Sequence, residues 1–138
     1  NIQSLYISNM NELFKKIIDS NTINLTTFKK SGVEVHTPVW VVNDEEYGYV
    51  RTYSSSGKVK RIMNNYKVTL AICTSSGKVI GNKVSAKAEI LELDKQKYTE
   101  INKKFRSKYH IIYFIITLMR KLNHANSTII RLKYKDIK

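Results

Sequence analysis

Between Thr22 and Leu93 the chain is cut into short β-branched runs by polar turn clusters, and that punctuation constrains the fold more than any other feature. Thr22, Ile23, Thr26 and Thr27 open a first strand, closed by Lys29-Lys30-Ser31-Gly32. Val33 to Asn43 reads as a second strand, Asp44-Glu45-Glu46 as a turn, and Tyr47 to Thr52 as a third strand, together an antiparallel meander. Pro38 removes a ladder donor, which predicts a bulge or a lost pair there. After Tyr53-Ser54-Ser55-Ser56-Gly57 a short helix is expected from about Lys58 to Asn64. Tyr66 to Thr74, Val79 to Leu93 (with a bend near Gly81) and Ser127 to Tyr134 complete six strands. Such a set predicts a mainly β fold, a small antiparallel barrel with helices over its ends.

The flanks read as helices. Ser8 and Asn9 stand where an N-cap belongs, with Glu12 placed as in a capping box, ahead of a stripe of Met10, Leu13, Phe14, Ile17 and Ile18. Asp94 can cap a helix towards Lys108, and a further helix covers about His110 to Leu122. Its apolar residues Ile111, Ile112, Phe114, Ile115, Leu118 and Met119 are expected to pack on the barrel, with a place bordering the substrate pocket as the alternative. At 138 residues, with no repeat or long linker, residues 1–138 read as a single domain. The run from Ile111 to Met119 is about half of a bilayer span. No basic-then-apolar signal opens the chain, and a start at Asn1 suggests a trimmed natural terminus. The lone Cys73 cannot form an internal disulfide. A cytoplasmic protein without membrane association is the expectation.

Charge bounds the partners. Lys and Arg outnumber Asp and Glu 24 to 11, a net of +13, and +10 of it falls in residues 95–138. That excess draws anions, whether nucleic acid, membrane or a phosphorylated small molecule, and also describes a plain solvated lysine-rich surface. The three histidines, at 36, 110 and 124, lack the spacing of a metal site, and Cys73 sits mid-strand as a structural thiol. No side-chain triad, P-loop or glycine-rich nucleotide fingerprint is present. The segment Ser54-Ser55-Ser56-Gly57-Lys58-Val59-Lys60-Arg61 differs, because a strand delivers serines and a glycine to the first turn of a helix. Free amides, hydroxyls and a nearby lysine there suit a phosphate. A plain capped surface helix has the same pattern.

His36-Thr37-Pro38-Val39-Trp40, Tyr49-Val50-Arg51-Thr52, Ser56 to Asn65 and Val68-Thr69-Leu70 recur in that order in a known family. In these motifs the chain resembles the pyridoxamine 5'-phosphate oxidase-like split barrels, and more narrowly their deazaflavin-dependent branch. The match runs from about Leu25 to Leu93 and resumes weakly at Phe105-Arg106-Ser107-Lys108-Tyr109. The resemblance implies a six-stranded split barrel that forms a homodimer around an anionic flavin-type cofactor, coenzyme F420 or FMN. It implies hydride transfer between that cofactor and a small organic substrate. Carried over by position, Thr37, Pro38, Val39, Trp40 and Val41 would line the ring. Thr52, Ser56 and Lys58 would hold the phosphate, with Ser54 and Gly57 of the serine-glycine turn beside them in the cofactor site, and Arg51, Lys60 and Arg61 as partners for phosphate or an acidic tail. Lys83 falls where related members place a polar side chain on the ring.

Three departures stand out: Tyr66 replaces a proline, Asp44-Glu45-Glu46 a glycine-containing hairpin, and His110 a glycine after Lys108-Tyr109. The protein general acid is unassigned. Val39, Val41 and Val50 are expected to be partly buried between the two chains of the dimer. Two other readings remain. One is an FMN or tetrapyrrole carrier of the same fold without turnover. The other, a basic barrel binding single-stranded nucleic acid, is disfavoured because the charge lies in the helical third of the chain.

Overall fold

The computed structural model describes residues 2–44, 46–92, 95–119 and 126–134. The elements are α1 (Ile2–Asp19), β1 (Thr22–Phe28), β2 (Glu34–Trp40), β3 (Val42–Asn43), β4 (Gly48–Tyr53), α2 (Gly57–Asn64), β5 (Lys67–Ile72), β6 (Val84–Leu91), α3 (Lys95–Met119) and β7 (Ser127–Tyr134). Seven strands form one antiparallel sheet in the order β2-β1-β5-β6-β7-β4-β3.

The seventh strand arises because the expected second strand is broken at Val41. Its first part pairs with β1, from Glu34 opposite Phe28 to Trp40 opposite Thr22, and its second pairs with β4. These partners stand near opposite ends of the sheet, so one stretch of chain supplies both edges and curls the sheet on itself. The disruption expected at Pro38 is not found. Pro38 keeps register opposite Asn24, and β2 is an edge strand, where one side of the backbone has no ladder to complete.

Two cores result. Inside the curl, Phe14, Ile17 and Ile18 of α1 meet Ile23, Leu25, Val50, Leu70, Ile130 and Leu132, with Ile62 of α2 closing the cluster. On the outer face, Tyr98, Ile101 and Phe105 of α3 pack over Val42, Tyr49 and Ile129. Strands β4 and β7 are therefore covered on both faces, and α3 lies along the side of the sheet rather than over an end. Val41 and Val50 are buried within the chain's own core, so they cannot supply the expected inter-chain contact. Cys73 is also buried, and burial raises its thiol pKa, as suits a structural thiol.

Helix α1 begins well before the expected cap, with Ser8 and Asn9 inside it. Ile2, Leu5 and Tyr6 extend the helical spacing of the Met10–Ile18 stripe backwards, and periodicity outweighs the cap signal. The helix stops at Ser20, whose N–H and hydroxyl both donate to Ile17 O at 3.1 and 2.6 Å.

Helix α3 is interrupted at His110, with φ 54° and ψ −140°. Beyond the break Ile111, Ile112, Ile115 and Met119 are 47–77% exposed, contrary to the expected packing. The left-handed residue redirects the helix, so these side chains do not reach the sheet. The side chains of Phe114 and Leu118, and all of His124, lie outside the described residues.

In the turn before β4, the Asp44 carboxylate accepts from the Tyr47 and Glu46 N–H groups at 2.8 and 2.9 Å and from Tyr49 Oη at 2.5 Å. Burial pushes its pKa up, but these bonds outweigh burial and hold the carboxyl below its ordinary 3.8. The stability this adds is complete above 3.8 and is lost as pH falls through the lower folded value. Asp44→Asn should cost about 1 kcal/mol at pH 7. Urea melts across pH should show that difference shrinking in acid.

A second prediction concerns the break. A non-glycine residue in this backbone region typically carries about 1–3 kcal/mol of strain, partly offset by the entropy a glycine loses on folding. His110→Gly should therefore stabilise the protein by about 1 kcal/mol, raising Tm by about 3 °C, while His110→Ala should not.

Candidate functional site

The chemistry-bearing residues cluster where β4 runs into α2. Strand alternation sends Val50 and Thr52 towards the inner core and Tyr49 and Arg51 towards α3. Thr52 is buried, and its hydroxyl points at Ser56 Oγ, 3.4 Å away. The intervening turn is held by Ser56 N–H to Tyr53 O at 3.1 Å, and by Ser54 N–H to Asn126 O at 3.0 Å beside β7. Ser56 takes the N-cap position in an extended conformation, yet its side chain makes no capping bond. A first helical turn leaves backbone N–H groups without intrahelical acceptors. Hydroxyl and amides thus face the same region.

Burial of Val59 and Ile62 orients α2 and fixes where its cations go. Lys58 is half-buried and Lys60 exposed. Arg61 lies back along the helix, and its Nε donates to Thr27 Oγ1 of β1 at 2.6 Å. A Cβ on Gly57 would stand 2.7 Å from Arg61 Nη1, so glycine there is what lets the guanidinium reach the helix start. No acidic residue occupies the first turn of α2. Positive charge, an uncapped serine and a Cβ-free residue converge, and such a cradle fits a phosphate.

The second component is the edge strand β2. Thr37 and Val39 are half-buried, Pro38 is exposed, and Val41 is sealed in the core. Trp40 stacks on Tyr109 with centroids 4.3 Å apart and planes 5° from parallel. Val41 N–H donates to Tyr109 Oη at 3.0 Å, and Val41 O accepts from Lys108 Nζ at 2.8 Å. Burial lowers the Lys108 pKa against an opposing pull from Asp19. Burial also pushes the Tyr109 phenol up to about 12, opposed by its bond to the Val41 backbone. The two components are joined through Arg61, because Thr27 pairs with Val35, two residues before Thr37.

Of the residues singled out in the sequence, Thr52, Ser54, Ser56, Gly57, Lys58 and Arg61 stand together at this junction. Arg51 does not join them. It donates from Nη1 to Asn102 Oδ1 at 2.9 Å, and its guanidinium lies 5.2 Å from the Tyr98 ring centroid, on the α3 side. Lys83 is exposed just before β6, three strands from β2. Thr27 was missed, and no local signal marks it, since only strand register brings it to Arg61. Two cavities lie apart from the cradle. One of about 450 Å³ is bordered by Glu12, Lys15, Asp19 and Asp44, and one of about 270 Å³ by Phe28, Asn65, Lys67 and Ser85. Among the described residues no His, Cys, Asp and Glu group is placed to hold a metal ion. No helix among them is long and apolar enough to cross a membrane.

Solved structures share this fold. The heme storage protein HutZ from Vibrio cholerae superposes with a TM-score of 0.66 at 13% identity, over 93% of this chain and 92% of that one. An FAD-binding protein from Mesorhizobium loti gives 0.58 at 14% identity, over 88% and 87%. A Listeria innocua protein provisionally described as a pyridoxamine 5'-phosphate oxidase gives 0.65 at 12%, over 94% and 95%. At such identities the likeness shows the fold alone. Among curated proteins none matches the sequence significantly. The sequence profile described as pyridoxamine 5'-phosphate oxidase, however, matches residues 10–138, nearly the whole of the fold described above, and the chain belongs to that family.

Proposed function

We propose that this protein binds a flavin-type cofactor, FMN or coenzyme F420, and transfers a hydride between it and a small organic substrate as a cytoplasmic homodimer. The observation that carries the reading is the cradle at the start of α2, where Thr52, Ser56, Gly57 and Arg61 converge beside Lys58. Thr52, Ser54, Ser56, Gly57 and Lys58 hold the phosphate, with Arg61 behind them. Thr37 to Trp40 lie along the ring, where the outer edge of β2 offers backbone donors and acceptors to the ring's own polar groups. Val41, expected there too, is buried with its backbone bonded to Lys108 and Tyr109 and stands behind the edge. Lys60 reaches an acidic tail if the deazaflavin is bound. Arg51, on the opposite face of β4 from Thr52, acts from the α3 side, and Lys83, exposed before β6, acts from the partner chain. The cofactor, when bound, supplies the hydride chemistry. The chain's residues anchor the phosphate, fix the ring against β2 and leave its other face to the substrate.

A flavin-binding neighbour and the family membership both favour this cofactor class. Likeness to a heme storage protein keeps a carrier without turnover as the second reading. A coloured purified protein that turns over no hydride acceptor would favour the carrier. An open site on a single chain also calls for a second wall, and sedimentation should give twice the 16.0 kDa chain mass.

Titration tests the cradle. A charge-assisted bond to phosphate is worth roughly 1.5–3 kcal/mol, so Lys58→Ala should weaken binding about ten- to a hundred-fold. Arg61→Ala should weaken both cofactors, coenzyme F420 more than FMN if the acidic tail also lies at Arg61, and should also lower Tm, because buried Thr27 loses its donor. High salt should weaken the more highly charged deazaflavin more steeply. Wild-type affinity in Lys58→Ala would show that the phosphate lies elsewhere.

A further inference from the structure

We propose that Lys108 and Tyr109 are positioning residues that set the line of the ring-binding edge by clamping the strand break at Val41. The role rests on the cofactor reading above and adds to it a pair of residues that touch no cofactor.

The need for a clamp follows from the sheet. Trp40 is the last residue paired with β1 and Val42 the first paired with β4, so Val41 belongs to neither ladder. Its side chain is fully buried, and its backbone N–H and C=O require partners at a place where strand pairing supplies none. Both partners come from the turn of α3 just before His110. Tyr109 Oη accepts from Val41 N–H at 3.0 Å, and Lys108 Nζ donates to Val41 O at 2.8 Å.

The same two side chains reach a third segment. Lys108 Nζ also donates to Ser20 O at 2.6 Å, and Tyr109 Oη lies 2.6 Å from Asn21 O, where α1 passes into β1. An ammonium has three donors and can serve both carbonyls at once, whereas the phenol accepts one bond and donates one. Beside this, the Tyr109 ring stacks on Trp40, the last residue of β2. Strand β2 is paired on one side only and its ladder with β1 stops at Trp40, so the line of its outer edge there depends also on how the end is held. The clamp holds that end at the backbone of Val41 and at the ring of Trp40. Loosening it should displace the ring's edge while leaving the β4–α2 cradle, with its separate anchors at Thr27 and Asn126, in place.

Ligand truncation separates positioning from simple structural support. Wild type, Tyr109→Phe and Lys108→Met are titrated with FMN and with riboflavin, and with the deazaflavin pair carrying and lacking the phosphate. Tyr109→Phe keeps the stacked ring and removes only the hydroxyl, so it carries the test alone should Lys108→Met not fold. Each variant should weaken the phosphorylated and unphosphorylated forms by the same factor, about three- to tenfold, and shift the bound ring's absorbance band. The ratio of the two affinities should stay at its wild-type value, while Lys58→Ala should collapse it. Variants that melt earlier but match wild type in affinity and spectrum would overturn the positioning role and leave the cofactor reading standing. A changed affinity ratio would overturn it too, by placing the effect at the phosphate. If wild type binds neither pair, the cofactor reading falls and the positioning role with it.

Discussion

A single strand that must satisfy two ladders is the constraint on which the rest of the molecule depends. Residues 34–43 pair with β1 at one end of the sheet and with β4 near the other, and the transfer is made at one residue, Val41. Such a transfer is possible only if the backbone left between the ladders finds other partners, because a buried unpaired amide typically costs about 1–3 kcal/mol. Lys108 and Tyr109 provide them, and the docking of α3 on the outer face is thereby tied to the closing of the sheet. The long-range contact and the local break are one feature. Without Tyr98, Ile101 and Phe105 to seat the helix, the turn before His110 would have no fixed position from which to reach Val41.

Curling the sheet also decides where charge can gather. Both faces of β4 are used, with Val50 in the inner core and Tyr49 under α3, so only the strand's end remains to carry polar groups. The chain leaves that end into α2, whose buried Val59 and Ile62 fix its roll. With those two inward, the guanidinium of Arg61 can lie along the helix and reach the β1 strand at Thr27. The cradle is thus a consequence of two apolar anchors and one residue lacking a Cβ. It is also basic in a chain whose net charge of +13 already favours anions, so the local and the global field act in the same sense.

How much of this could be read from the sequence varies with how local the cause is. Strand β7 has the bounds expected, Ser127 to Tyr134, and β4 is displaced by one residue, because alternation and turn clusters are local signals. The β4–α2 cradle spans residues 52–61, contiguous in sequence, and its members fall together for that reason. The break at Val41 carries no such mark: it lies in an unbroken apolar run, while Pro38 three residues earlier draws the attention and leaves the ladder intact. Thr27 as the acceptor for Arg61, and Lys108 and Tyr109 as partners for Val41, depend on register and on helix docking. Arg51 was legible in part, since neighbours along a strand face opposite sides and Thr52 cannot share its direction.

His110 shows a different kind of legibility. In sequence it is only a departure, a histidine where the resemblance expects glycine. In the structure it is the one non-glycine residue with positive φ among the described residues. The expected glycine therefore marked a backbone conformation rather than a catalytic group. That conformation is imposed from both sides. The turn before it is pinned by Phe105 in the outer core and by the bonds of Lys108 and Tyr109 to Val41, so it cannot rotate to relieve the strain. Past it, Ile111, Ile112, Ile115 and Met119 are largely in solvent and join neither core. A side chain at this position is tolerated because the strain is roughly 1–3 kcal/mol, smaller than the burial energy of the helix that holds it. The same anchoring that closes the sheet thus accounts for the strained residue at the point where α3 breaks.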